Sequence, residues 1–469
     1  MNTKMKNIFC FIALILSFVV TTRADLAGRI NAVIGQPHQK SVQFSIHIIK
    51  ADSAKSVYSN NAKMALIPAS NIKIITTAAA LKYLGPNYKY KTRIGIQEGS
   101  LVVIGSGDPL FGDKTTDEKY GRSEGWLFKD IVEKLREKNI TAVQDIIVDS
   151  SVFDDQRVHP NWPTDQLNQW YACEVCGLNF NNNCIEMTVK NSGNKTTVHI
   201  EPKTNFIKII NKVIPVNTGN STIGAYRNQE PNKIIVKGKC NKQAGPFDVA
   251  IERPAAFFGF MLYENLIASG INAKGKLLEK EIQNHDGFLL LAEYVTPIGD
   301  CLKRCNKNSL GLAAESLLKT IDAGNQGRKY GSWKGGQELI TKYMLGLGIS
   351  AEQFNIDDGS GLSRENKLSA NALTKVLLSV YKSNNWILYK DSLAAGGIDG
   401  TIRKYFKEQK YKGKILGKTG YIDGVKSFSG ICTTKKSDYI FSIIANKANA
   451  LTRSVINDIT KAIIDEADK

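Results

Sequence analysis

Pro68-Ala69-Ser70-Asn71-Ile72-Lys73 opens an apolar run through Ile74, Ile75, Ala78, Ala79 and Ala80 to Leu81, and the reading of this stretch decides the fold. A serine and a lysine three residues apart share one face of a helix. Ser70 is expected at or just inside the helix start, where unpaired backbone N–H groups point at whatever docks there. The aliphatic residues after Lys73 wall in its amine. Desolvation lowers a lysine pKa, and a neutral amine beside a hydroxyl can take its proton. The spacing alone is weak, because a helix cap followed by a snorkelling lysine gives the same pattern.

Outward from this stretch, 42–50 alternates through Val42, Phe44, Ile46 and Ile48 as a strand does, with 56–59 as its partner. Gly85 and Pro86 stop the helix. Strands are expected at 90–96, 101–104 and 146–148, and a helix at 126–138 with Leu127, Ile131, Val132 and Leu135 on one face. Short strands follow over 185–213 and 233–237, then a helix at 254–266 and a strand at 271–278. Helices at 310–320, 337–347 and 369–381, three strands at 412–418, 425–433 and 439–445, and a helix at 451–467 complete the chain. The two ends of the chain read as one unit of strands flanked by helices, with the middle inserted.

The 469 residues suffice for two or three domains, and 42% apolar with 23% charged residues is the composition of a folded protein. Residues 1–24 read as a secretory signal: Lys4 and Lys6, an apolar stretch from Ile8 to Val20, and Thr22-Arg23-Ala24 as cleavage site. An uncleaved anchor is the alternative. No other stretch approaches a membrane span, so none is expected after cleavage. The periplasm or cell envelope is the expected compartment. A net charge of +18 suits an anionic partner such as the cell wall, or serves solubility alone. No basic block interleaved with aromatics argues for nucleic acid. Seven cysteines follow the signal: Cys173, Cys176, Cys184, Cys240, Cys301, Cys305 and Cys432. One or two disulfides are expected, with Cys301–Cys305 a candidate pair, and no histidine stands at a zinc-ribbon spacing. Asp154, Asp155 and Asp165 are a cation site or, more simply, turn formers. Neither metal nor cofactor is implied.

Two further patterns join the first. Asn306-Lys307-Asn308-Ser309 leads into a helix, and Lys418-Thr419-Gly420 ends a strand. Ser-x-x-Lys, a serine-bearing loop and Lys-Thr-Gly, in that order, form the motif set of penicillin-binding proteins and serine β-lactamases. The chain resembles the D-alanyl-D-alanine carboxypeptidase/endopeptidase family of low-molecular-mass class C penicillin-binding proteins, peptidase family S13. Gly107-Asp108-Pro109, 148–154 (VDSSVFD), 358–364 (DGSGLSR) and 395–401 (AGGIDGT) carry the resemblance further. The 235 residues between Lys73 and Ser309 exceed what a compact β-lactamase needs there. The five histidines are scattered, which disfavours a Ser-His-Asp triad.

The resemblance implies a mixed α/β (α+β) transpeptidase fold like that of penicillin-binding proteins and serine β-lactamases. Its antiparallel sheet is flanked by helices and carries two inserted smaller domains. The catalytic part is expected at 25–87 and 286–469, an inserted α/β domain at 88–184 and 251–285, and a small β-rich domain at 185–250. It implies a serine carboxypeptidase, and an endopeptidase as a further activity, acting on peptidoglycan stem peptides that end in D-Ala-D-Ala, with β-lactams as covalent inhibitors. Ser70 is the expected nucleophile, Lys73 the general base and Ser309 a proton relay between Lys73 and the leaving amine. Lys418 is expected to bind the substrate carboxylate as a fixed cation, helped by Thr419 and Gly420. The N–H groups of Ser70 and Tyr421 are the expected oxyanion hole. One departure stands out: the family's Ser-x-Asn reads Ser309-Leu310-Gly311, so the amide that holds substrate backbone and lysine is missing. Asn306 or Asn308 is the candidate substitute. The alternative reading is a wall-binding scaffold with weakened or absent turnover.

Overall fold

The computed structural model describes residues 25–325 and 327–467, so the expected signal at 1–24 lies outside the described residues. A six-stranded sheet runs in the order Ala394–Ala395, Ile415–Ile422, Val425–Cys432, Tyr439–Asn446, Gln43–Lys50, Ser56–Asn60, antiparallel throughout. Both faces are apolar because both are covered. Alternate residues Phe441, Ile443 and Ala445 meet the helices Leu26–Ile34 and Thr452–Ala467, while Ile440 and Ile444 face the helices Lys73–Leu84, Gly311–Ala323 and Ala370–Tyr381. Ser369 caps the last of these, its hydroxyl accepting from Ala372 N at 3.0 Å.

A second sheet of five strands, Leu277–Glu279, Ile146–Asp149, Ser100–Ile104, Lys89–Gln97 and Leu289–Pro297, packs against the helices Trp126–Glu137 and Pro254–Ala268. Its edge strand Leu289–Pro297 pairs with Lys89–Gln97. The boundary expected at 285 therefore falls short, since the chain completes this sheet before returning to the first. The single strand expected at 271–278 is two short ones, Asn272–Ala273 and Leu277–Glu279. Two three-stranded sheets occupy the stretch from Cys184 to Ala250.

The cysteine expectation is corrected. All seven described thiols are free and buried. Cys301 and Cys305 lie four residues apart on the helix Ile298–Lys307, a spacing that holds Cβ atoms about 5–6 Å apart, too far for a disulfide. Burial pushes the Cys305 thiol up to about 12, so it stays protonated and unreactive. Asp154 ion-pairs with the buried Lys319 at 2.6 Å, and no cluster of metal-ligating side chains occurs among the described residues.

Candidate active site

The chain reaches Ser70 through a short 3-10 turn, Ala69–Ile72, that runs straight into the helix Lys73–Leu84. Ala69 sits at φ 47°, a left-handed conformation that costs a non-glycine residue about 1–3 kcal/mol. Lys73 is 2% exposed. Its Nζ bonds to Ser70 Oγ at 3.1 Å and to the carbonyl of Ser360 at 2.6 Å. Burial pulls the Lys73 amine below the ordinary lysine range, and Cys305, Glu315 and Asp358 pull it partly back.

Lys418, Thr419 and Gly420 lie inside the strand Ile415–Ile422 rather than at its end, which corrects the expectation. That placement is what aims them. The sheet is buttoned to the Ser70 turn twice: Asn71 Nδ2 donates to the Lys418 carbonyl at 2.9 Å, and Ser427 Oγ on the next strand donates to the Pro68 carbonyl at 2.6 Å. Gly420 is required by the closeness of the two pieces. A Cβ there would overlap Ser427 Oγ and lie 2.6 Å from the Pro68 oxygen and 3.1 Å from Ser70 N.

Ser309 turns the corner between the helices Ile298–Lys307 and Gly311–Ala323 at φ 63°. Its hydroxyl accepts from Lys418 Nζ at 2.9 Å, so its direct partner is Lys418 and not Lys73. Lys418 Nζ also donates to the Thr419 carbonyl at 2.7 Å, and Thr419 Oγ1 donates to Thr401 Oγ1 at 2.9 Å. Lys418 is driven well below the ordinary range by burial and by the charge of Lys73 beside it. Burial thus disfavours the charged form of both amines, and each makes the other's charge costlier. Tyr421 follows Gly420 and is 70% exposed.

Gly311 leaves no side chain at the third position of the second motif, and Asn306, one of the two expected substitutes, is bonded elsewhere. Asn306 is fully buried with Nδ2 on Ser392 Oγ (2.9 Å) and Thr77 Oγ1 (3.3 Å), away from Ser70, while Asn308 is exposed. The second acceptor for Lys73 is instead the Ser360 carbonyl. A Cβ at 311 would lie 3.0 Å from the Tyr171 carbonyl oxygen, so a larger residue needs that carbonyl to give by a few tenths of an ångström. Gly311→Asn is expected to raise D-alanine release from a pentapeptide about tenfold, one substrate hydrogen bond, while costing about 1 kcal/mol of stability. Steady-state turnover and thermal melts check both halves.

Three contributors escaped the sequence reading. Asn71, inside the Ser-x-x-Lys motif, clamps the Lys418 strand. Ser360 acts through its carbonyl, which no residue-type pattern advertises; the run 358–364 was read only for its resemblance. Thr401 meets Thr419 from within 395–401, a run read only for its resemblance.

This pairing of a helix-borne serine and lysine with a Lys-Thr-Gly strand on an antiparallel sheet belongs to the penicillin-recognising active-site-serine enzymes. The sequence profile of the D-Ala-D-Ala carboxypeptidase 3 (S13) family matches residues 26–467, and the chain belongs to that family. It is 24% identical over 450 residues to a D-alanyl-D-alanine carboxypeptidase of Actinomadura sp. strain R39, covering 90% of this chain and 81% of that one. It is also 24% identical over 407 residues to the carboxypeptidase DacB of Haemophilus influenzae, covering 81% and 80%. The crystal structure of penicillin binding protein 4 (dacB) from H. influenzae superposes with a TM-score of 0.79 at 22% identity, over 93% of this chain and 98% of that one. The family, the fold class and the class of enzyme read from the motifs, a serine-type D-Ala-D-Ala carboxypeptidase, are borne out.

Proposed function

We propose that Ser70 carries the reaction of a cell-envelope D-Ala-D-Ala carboxypeptidase acting on peptidoglycan stem peptides. The observation that carries this assignment is the 3.1 Å bond between Lys73 Nζ and Ser70 Oγ, made by an amine whose neutral form burial favours. The neutral amine accepts the hydroxyl proton as Ser70 Oγ attacks the carbonyl of the penultimate D-alanine. The N–H groups of Ser70 and Tyr421 would receive the oxyanion; losing one such donor costs about 3–4 kcal/mol. Collapse expels the terminal D-alanine, whose amine takes up the proton that Lys73 accepted, with the Ser309 hydroxyl as the relay. Water then hydrolyses the ester on Ser70.

The two lysines give substrate a way to prime the base. A substrate carboxylate arriving at Lys418 and Thr419 stabilises charge on Lys418, and like-charge repulsion then favours neutral Lys73. A β-lactam, which also presents a carboxylate and has a strained carbonyl, acylates Ser70 by the same route and acts as a covalent inhibitor. An amine released from a cross-link in place of D-alanine would make the same acyl-enzyme, so endopeptidase activity needs no further group.

The missing amide at Gly311 favours a second reading, a protein that binds wall peptides without turning them over. A pentapeptide ending in D-Ala-D-Ala separates the two. Release of D-alanine by the wild type and not by Ser70→Ala is expected; binding without release sinks the enzymatic reading. Among the described residues no helix is long and apolar enough to cross a membrane.

A further inference from the structure

The strap from Asp357 to Ser363 is built around buried carboxylates. Asp358 is fully buried and takes N–H donors from Trp162 Nε1 (2.9 Å), Gly361 (2.6 Å), Ser363 (2.7 Å) and Asn366 Nδ2 (2.8 Å). Glu315, on the helix Gly311–Ala323, takes Trp333 Nε1 (2.8 Å), Gly359 N (2.9 Å) and Ser360 N (2.7 Å). The peptide group joining Ser360 to Gly361 is bonded at both ends. Its N–H donates to Asp358 Oδ1, and its carbonyl accepts from Lys73 Nζ at 2.6 Å. A carboxylate thus sits behind one amide and an amine in front of it, in line.

We propose that Asp358 is a positioning residue that acts on Lys73 through the Ser360–Gly361 peptide. An ionised acceptor on the N–H polarises the amide and strengthens its carbonyl as an acceptor. The strengthened carbonyl fixes where the amine points while leaving its lone pair to Ser70. The arrangement parallels a carboxylate that orients a histidine base, with a main-chain peptide in the histidine's intermediate place. It rests on the assignment of Lys73 as the base. Other groups around the pair are Cys305, Glu315 and Lys418 beside Lys73, and Glu315, Asp357 and His159 around the strap, His159 Nδ1 lying 3.8 Å from Asp357 Oδ2. Asp358 and Glu315 both raise the Lys73 pKa, so loss of the Asp358 charge weakens the hold on the proton.

The test uses Asp358→Asn, which keeps an acceptor for Gly361 N–H but removes the charge. Trp162→Phe serves beside it, removing a different bond to the same carboxylate. Acylation by a fluorescent penicillin is followed from pH 5 to pH 10, with thermal melts as a fold check. Asp358→Asn is expected to lower the maximal acylation rate roughly tenfold to a hundredfold and to move the acidic limb of the profile to lower pH. Trp162→Phe is expected to leave the limb where it is in the wild type. An unmoved limb in a folded Asp358→Asn protein overturns the proposal, and so does an equal move in Trp162→Phe. If Asp358→Asn does not fold, Asp358→Glu decides: a displaced carboxylate that keeps the wild-type rate and limb overturns the in-line geometry, and a slowed rate supports it. A wild type that fails to label at all removes the enzymatic reading first, and the proposal falls with it.

Discussion

Lys73→Met is expected to abolish acylation and stabilise the fold in the same molecule. In the proposed mechanism Ser70 and Lys73 act as one unit. Losing either costs on the order of 10⁶ in turnover, and losing both costs no more than losing one. Ser70→Ala, Lys73→Met and the double variant should therefore show the same background labelling by fluorescent penicillin. Stability moves the other way. A methionine of similar length fills the same space without a buried ammonium, and replacing a desolvated charge by packed carbon is neutral or favourable by about 1–4 kcal/mol. The sign with pH follows from the amine. Its folded pKa lies below the unfolded 10.5, so the folded state disfavours the proton. That penalty is fully present below the folded pKa and fades as pH rises toward the unfolded value. The gain in melting temperature of Lys73→Met should be large near pH 7 and shrink by pH 10. A uniform gain would contradict a depressed lysine.

The second large effect is expected from a single methyl group. Gly361 sits at φ 85°, and a Cβ there would overlap the carbonyl of Ala69 and lie 2.9 Å from Ser70 N. Gly361→Ala has no flexible side chain to push against, only the backbone of the nucleophile turn. The left-handed conformation and the overpacking together should cost about 3 kcal/mol. Displacing Ser70 by about 1 Å should cost another hundredfold or so in acylation. Melting temperature and penicillin acylation rate measure the two losses. Acylation at the wild-type rate would mean that the turn and the strap move together without consequence.

The central sheet was legible because its strands keep a two-residue alternation even where both faces are buried, as in Phe44, Ile46 and Ile48. The edge strand Leu289–Pro297 was not, because Leu289 and Leu290 face solvent and break the alternation that a half-buried strand shows. The helix Ile298–Lys307 did carry a signal, Ile298, Cys301, Leu302 and Cys305 on one face, though two of the four apolar positions are cysteines that invited a disulfide reading. Within the site, Ser70, Lys73, Ser309 and the Lys418 strand were found from the ordered motifs and the resemblance they carry, while the side chains of Asn71 and Thr401 were missed. So were the main-chain groups: the Ser360 carbonyl and the Gly361 N–H are the same atoms in any sequence, and only the folded strap gives them direction. Gly311 was legible as a departure, but its neighbour, the Tyr171 carbonyl, comes from 140 positions earlier in the chain.

Arg304 grips Asp113 with both arms of its guanidinium, Nε to Oδ2 and Nη2 to Oδ1, each at 2.8 Å, and Asp113 is wholly buried. Arg304 lies on the helix that ends at the Ser309 corner, while Asp113 belongs to the intervening region. Severing one partner of so enclosed a pair costs about 3–5 kcal/mol. A minimal version of this enzyme, made by splicing residue 87 to residue 298, would thus expose a guanidinium whose counter-charge had been cut away, and would uncover the Gly311 helix start where Tyr171 now roofs it. The intervening region holds the Ser309 corner from outside, through one ion pair and one carbonyl.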